Sequence, residues 1–173
     1  VDLVAPQYVQ DVTRLYEAAF ARVPDNGGLN FWLDEVEDGN YGSSYDTPIR
    51  SNPGGAFPTD AFGNLFIPGA IARLAEDFVD SSEFQDIFNF NIFLNSQSYV
   101  EQLYFNVLDR QGDLGGVDFW AGLLENDTLT ESEVLAAFAV SPENYSQSRY
   151  AEELAFNAPT GRYVITDDAF DFA

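Results

Sequence analysis

Any chemistry in this chain has to come from oxygen atoms. The 173 residues include no His, no Cys and no Met, and all seven cations are Arg, so Lys is absent too. A Ser-His-Asp triad, a thiol nucleophile, a His-bound zinc, a Schiff base and a phosphate-loop lysine are therefore excluded by residue type. Carboxylates and amides remain, in two kinds of arrangement. In the first, Asp25, Asn26 and Asn30, and again Asp113 and Asp118, place hard oxygens on Gly-rich turns. In the second, Asp46, Asn52 and Asp60, with Asn64, are spread among Gly54, Gly55 and Gly63. Oxygen-rich, Gly-rich loops suit the irregular coordination of calcium by six to eight oxygens, so calcium is the expected cofactor. The spacing does not follow the twelve-residue EF-hand loop, and Arg22 and Arg110 stand near the first two candidates. The expected role is a non-catalytic module for calcium-dependent binding or assembly. Carboxylate pairs can also hydrolyse glycosidic bonds, with Glu35 and Asp38 the residues to test, so a polysaccharide-active enzyme is one alternative and a purely structural spacer another. The Asp-Thr/Ser-Gly triplet of aspartic proteases is absent.

These residues sit on a repeat. Arg22, Asp25, Gly27, Gly28, Phe31 and Trp32 return as Arg110, Asp113, Gly115, Gly116, Phe119 and Trp120, each displaced by 88 positions (32 to 120). Such registered identity predicts two copies of one unit. Each opens with helical periodicity: Val12, Leu15, Tyr16, Ala19 and Phe20, then Val100, Leu103, Tyr104, Val107 and Leu108. Ser98 with Glu101 reads as a capping box for the second of these helices. A short helix carrying Trp follows, ending near Asp38 and Gly39 in the first copy. A third is marked by Ile71, Leu74, Ala75, Phe78 and Val79, and by Val134, Leu135, Phe138 and Ala139 after a capping box at Thr130 and Glu133. A fourth begins at Ser81-Ser82-Glu83 and at Ser141-Pro142-Glu143. The displacement falls to 60 at the third helix (78 to 138), which puts a Gly-, Pro- and Asn-rich insert at 40–68 in the first copy.

The expected fold is all-α: two pseudo-repeated units of about four short helices sharing a core, packed face to face through the Trp helices. The first unit spans 1–95 with its insert, the second 96–157, and 158–173 is a tail with a possible strand at Arg162–Thr166. The apolar run from Phe84 to Leu94 is expected to join the units. Arg22, Arg110, Trp32, Trp120, Gly28 and Gly116 read as scaffold: Asp caps the Trp helix, Arg pairs with that Asp or with helix-end carbonyls, and Gly permits positive φ or close approach. Tyr41, Tyr45 and Phe57 are expected to be exposed and to contact a ligand such as a glycan, because loops on a rigid scaffold carry recognition. The acids Asp34, Glu35, Glu37 and Asp38, and Asp167, Asp168 and Asp171, read as solvated faces.

The run Leu15-Tyr16, Arg22, Pro24-Asp25, Gly28-Leu29, Phe31-Trp32, Phe78-Val79 and Ser82-Glu83-Phe84 resembles the bacterial domain of unknown function 4214. The second copy departs from that pattern at Gly112 and Asn144, and the two copies together span Tyr8 to Tyr145. The family is similar to phycobilisome linker domains in its helical motif. Its members sit in large exported proteins beside calcium-binding repeats and surface-layer or adhesin segments, so the resemblance implies a helical surface module and supplies no catalytic residue.

Charge narrows the partners. Twenty-nine acids against seven Arg leave a formal charge of -22, a surface that repels nucleic acid and anionic headgroups and gathers cations. No apolar stretch is long enough for a membrane span. The chain is expected to be a mature segment of an exported, extracellular or cell-surface protein whose partners are polysaccharide or surface proteins, with no nucleic acid.

Overall fold

The computed structural model describes residues 6–41, 67–88, 95–147 and 154–165. It is mostly helical, and a small two-stranded sheet corrects the all-α expectation. The helices are α1 (Gln7–Phe20), α2 (Asn26–Glu37), α3 (Gly69–Val79), α4 (Ser82–Ile87), α5 (Ser96–Leu108), α6 (Leu114–Glu125), α7 (Glu131–Ala139) and α8 (Pro142–Gln147), followed by β1 (Leu154–Asn157) and β2 (Arg162–Ile165).

Local sequence explains the helix starts. Asp25 and Asp113 precede α2 and α6 in extended backbone, and each accepts the N–H of the third helical residue, Gly28 at 2.8 Å and Gly116 at 2.9 Å. Ser81 and Ser141 do the same for α4 and α8, at 3.2 Å to Phe84 and to Asn144. Thr130 and Glu133 form the expected capping box of α7. The box expected at Ser98 and Glu101 does not form, because α5 begins one turn earlier: Asn95 is extended and its side chain accepts the N–H groups of Gln97 and Ser98. An Asn satisfies two orphan donors there, leaving Ser98 inside the helix.

The helix ends are equally patterned. Ala21 ends α1 and Asp109 ends α5, both with φ of 50° in the left-handed region. This reversal turns the chain into the segment that carries Arg and then the capping Asp. Asp tolerates that conformation, whereas Ala pays for it through its Cβ.

Packing joins the halves differently from the sequence expectation. The broad contacts are α3 on α7 and α1 on both of them, while α6 packs chiefly on α5 and α2 on α1 and β2. The third helices therefore meet, instead of the Trp helices. Small residues account for this: Ala70, Ala72 and Ala75 in α3, and Ala136, Ala137 and Ala139 in α7, are all buried and let the two axes approach. The Phe-rich connector contributes as far as it is described. Phe84 and Phe88 stack with centroids 4.2 Å apart, and both meet Tyr99 of α5, whose hydroxyl donates to the Glu131 carbonyl at 2.7 Å. Residues 89–94 lie outside the described residues.

The helix α1 is buried nearly all round, including Asp11 and Arg14. Arg14 is 3.4 Å from Asp11, and its guanidinium lies 4.1 Å from the centre of the Tyr145 ring in α8. The Tyr145 hydroxyl donates to Asp11 at 2.9 Å. Pairing and hydrogen bonding let these charges enter the core, and they tie the start of the chain to α8.

The strands pair antiparallel, with Leu154 opposite Ile165 and Asn157 opposite Arg162. Gly161, at φ 66°, closes the turn and donates to the Asn157 carbonyl at 2.8 Å. Only the second strand had a signature in sequence; Leu154-Ala155-Phe156-Asn157 lacks β-branched residues and lies inside the expected second unit.

Candidate functional site

The Arg and Asp of the repeated motif have separate partners. Arg22 reaches Glu83 through Nε at 2.7 Å and Nη2 at 3.1 Å, and Arg110 reaches Glu143 through the same atoms at 2.6 and 3.0 Å. The expected pairing of Arg with the capping Asp is thus corrected: Arg clamps the first turn of α4 or α8. The two-point geometry needs a planar guanidinium. Each guanidinium also covers a tyrosine ring, Tyr16 at 5.0 Å and Tyr104 at 4.8 Å. The Arg110 hydrogen bond holds the Glu143 carboxyl below the usual carboxylate range, and burial raises the hydroxyl pKa of Tyr104.

The glycines of the motif differ between halves. Gly116 packs so close to the Tyr104 hydroxyl that a Cβ there would collide with it, whereas a Cβ on Gly28 would make ordinary contact with the Asp25 carboxylate. Neither has positive φ; among the described glycines that holds for Gly39 and Gly161. Both Trp rings meet the phenylalanine of the third helix, Trp32 to Phe78 at 5.0 Å and Trp120 to Phe138 at 5.3 Å. Trp120 is fully buried, and Trp32 is partly buried against the same core.

The oxygens proposed for calcium are mostly engaged by protein. Asp25 and Asp113 cap helices. Asp118 accepts from Gln97 at 3.2 Å. The amides Asn26 and Asn30, one turn apart on α2, face β2 in a way the sequence analysis did not anticipate. Asn30 accepts the Tyr163 N–H at 3.0 Å and donates to the Tyr163 carbonyl at 2.7 Å, and Asn26 accepts the Ile165 N–H at 3.1 Å. Two side-chain amides thereby pair with alternate residues of a strand, as a neighbouring strand would. The legible signal was an i, i+4 Asn pair on the polar face of a helix. Among the described residues no three carboxylate, His or Cys side chains gather around a common point. Asp46, Asn52, Asp60, Tyr45 and Phe57 lie outside the described residues. Tyr41 is buried where exposure was expected: its hydroxyl donates to Asp77 at 2.5 Å, and Arg73 holds its carbonyl.

The acids of α2 lie on a face that solvent reaches, as expected, with Glu37 and Asp38 exposed and Asp34 and Glu35 half-buried, and three of them also accept hydrogen bonds. Asp34 takes both its bonds from Arg162 at 2.6 Å, Glu37 accepts from Tyr8, and Glu35 accepts from Asn40 at 2.7 Å.

Where the hairpin meets α2, a shallow open groove of about 540 Å³ is lined by Phe31, Asn30, Asp34, Asn157, Arg162 and Tyr163, among others. Phe31 is 54% exposed, an aromatic ring presented to solvent beside a carboxylate, a guanidinium and amides. The groove offers an exposed aromatic ring together with hydrogen-bonding groups.

Residues 75–148 match the family described as a domain of unknown function (DUF4214). The matched range runs from within α3 to the end of α8 and includes Arg110, Asp113, Gly116, Trp120 and Glu143. No curated protein and no solved structure matches the chain. Among the described residues no helix is long and apolar enough to cross a membrane.

Proposed function

We propose that this chain is a non-catalytic, exported module that binds extracellular polysaccharide in a calcium-dependent way, on a scaffold made of two copies of one DUF4214-like helical unit. The observation that carries the reading is the use made of the polar motif residues. Asp25, Asp113, Arg22 and Arg110 are spent on capping and clamping helices, while Phe31, Asn157 and the Asp34–Arg162 pair line an open groove. The duplication is supported by the paired geometry at positions 88 apart, from the left-handed helix ends to the caps and clamps. An extracellular location fits the exported company of the resembled family. A charge of -22 opposes binding to an acidic polymer unless divalent cations bridge the two, so calcium enters as the bridge and as the screen of self-repulsion.

The test uses alginate as an anionic polysaccharide probe, with retention of the purified protein measured in calcium and in sodium chloride of equal ionic strength. Calcium-specific retention, reversed by a chelator and weakened by Phe31→Ala, is the expected result. Equal retention in both salts, or none in either, overturns the reading.

A further inference from the structure

The two Arg–Glu clamps cover different contents. Under Arg22 lies Phe20, whose ring centre is 4.8 Å from Tyr16 and 5.0 Å from Phe78, with the guanidinium carbon 6.0 Å above it. Displaced by 88, the residue in that place is Leu108. The surroundings are otherwise kept: Tyr104 and Phe138 are 5.0 Å apart, Trp120 lies against Phe138, and Arg110 stands 4.8 Å over Tyr104. A partly open cavity of about 290 Å³ lies among these side chains, with Arg110 and Glu143 at its lip.

We infer that this cavity between α5, α6, α7 and α8 is a binding site for a small single-ring aromatic compound, which takes the place that the Phe20 ring occupies in the first half. The volume suffices, since an apolar cavity of about 150 Å³ already accepts benzene. The lining chooses aromatic over aliphatic guests. Tyr104, Trp120 and Phe138 present edges and faces for ring contacts, and the Arg110 guanidinium over the site is attracted to a π face. The clamp holds that guanidinium in place through two bonds to the Glu143 carboxylate, at 2.6 and 3.0 Å. The binding groove against the hairpin is a separate surface, so this site stands or falls independently of polysaccharide recognition.

The experiment titrates the full chain with toluene, and in parallel with methylcyclohexane, followed by NMR. Toluene is expected to shift the Leu108 methyl and Trp120 indole signals saturably and to give nuclear Overhauser contacts to both, with methylcyclohexane clearly weaker. Leu108→Phe, which supplies the missing ring, is expected to abolish these effects. Absence of saturable toluene shifts, equal binding of methylcyclohexane, or unchanged binding in a folded L108F protein overturns the inference. If L108F does not fold, the wild-type contacts between toluene and Leu108 and Trp120 decide it alone.

Discussion

Glu17 offers the sharpest test of how this fold tolerates its acidity. It lies on α1, the helix buried nearly all round, and burial pushes its carboxyl up to about 7 from an ordinary 4.5, with Arg14 only partly opposing the shift. The folded state therefore binds a proton there more tightly than the unfolded chain does. Stability from this group is fully present below pH 4.5 and is lost as the pH rises towards 7 and beyond. A rise from 4.5 to about 7 corresponds to about 3 kcal/mol of destabilisation at pH 8, at roughly 1.36 kcal/mol for each pH unit. Glu17→Gln keeps the shape and removes the charge. The variant is expected to be more stable than wild type at pH 8 by up to about 3 kcal/mol, a gain of roughly 6–12 °C in melting temperature for a chain of this size. Below pH 4.5 the two proteins should melt within about a degree of each other, since both then carry a neutral group. Measuring urea denaturation of both proteins from pH 4 to 8 isolates the site, because general repulsion at a net charge of -22 is nearly common to both. An offset that stays constant over that range refutes the reasoning, as does a variant less stable at pH 8.

Other perturbations probe separate parts of the structure. Ala21→Gly should stabilise by about 0.5–1 kcal/mol in thermal or urea melts, because Ala21 ends α1 at φ 50° and Gly relieves its Cβ. Asp109→Gly should gain less, since Asp tolerates that region. Arg110→Lys should cost no more than about 1 kcal/mol, given that Arg110 and Glu143 are 40% and 39% exposed, while an acid titration of Glu143 by NMR should move towards the ordinary carboxylate range. Asn30→Leu should release the hairpin from α2, seen as faster amide hydrogen exchange at Tyr163 and Ile165 with α7 protection unchanged.

The legibility of this fold follows from the range over which its signals act. Caps depend on three adjacent residues, so Asp25, Ser81, Asp113, Thr130 and Ser141 could be placed from sequence. Asn95 escaped because Ser98 and Glu101 offered a competing local pattern. Partner choice depends on tertiary geometry, which is why local sequence points Arg22 and Arg110 to the nearby Asp or to helix-end carbonyls, when Glu83 and Glu143, far along the chain, supply the two-point partner. Periodicity marked the apolar stripes of α3 and α7, yet it could not tell which stripes meet; the buried alanines decide that. The groove was invisible for a similar reason. Its residues come from α2 and from a hairpin whose first strand carries little β signal, and its amide contacts join positions more than 130 apart.

Those amide contacts also bear on how the molecule keeps to itself. A two-stranded hairpin ordinarily exposes two rows of unpaired backbone groups, either of which can recruit a strand from another chain. On β2 that row is answered from within: Asn26 and Asn30 engage the backbone of Tyr163 and Ile165. Helix side chains thus do the work of a third strand. Growth of the sheet is stopped on that side without a Pro, a bulge or a Lys, and among the described residues no strand pairs with the opposite edge, β1.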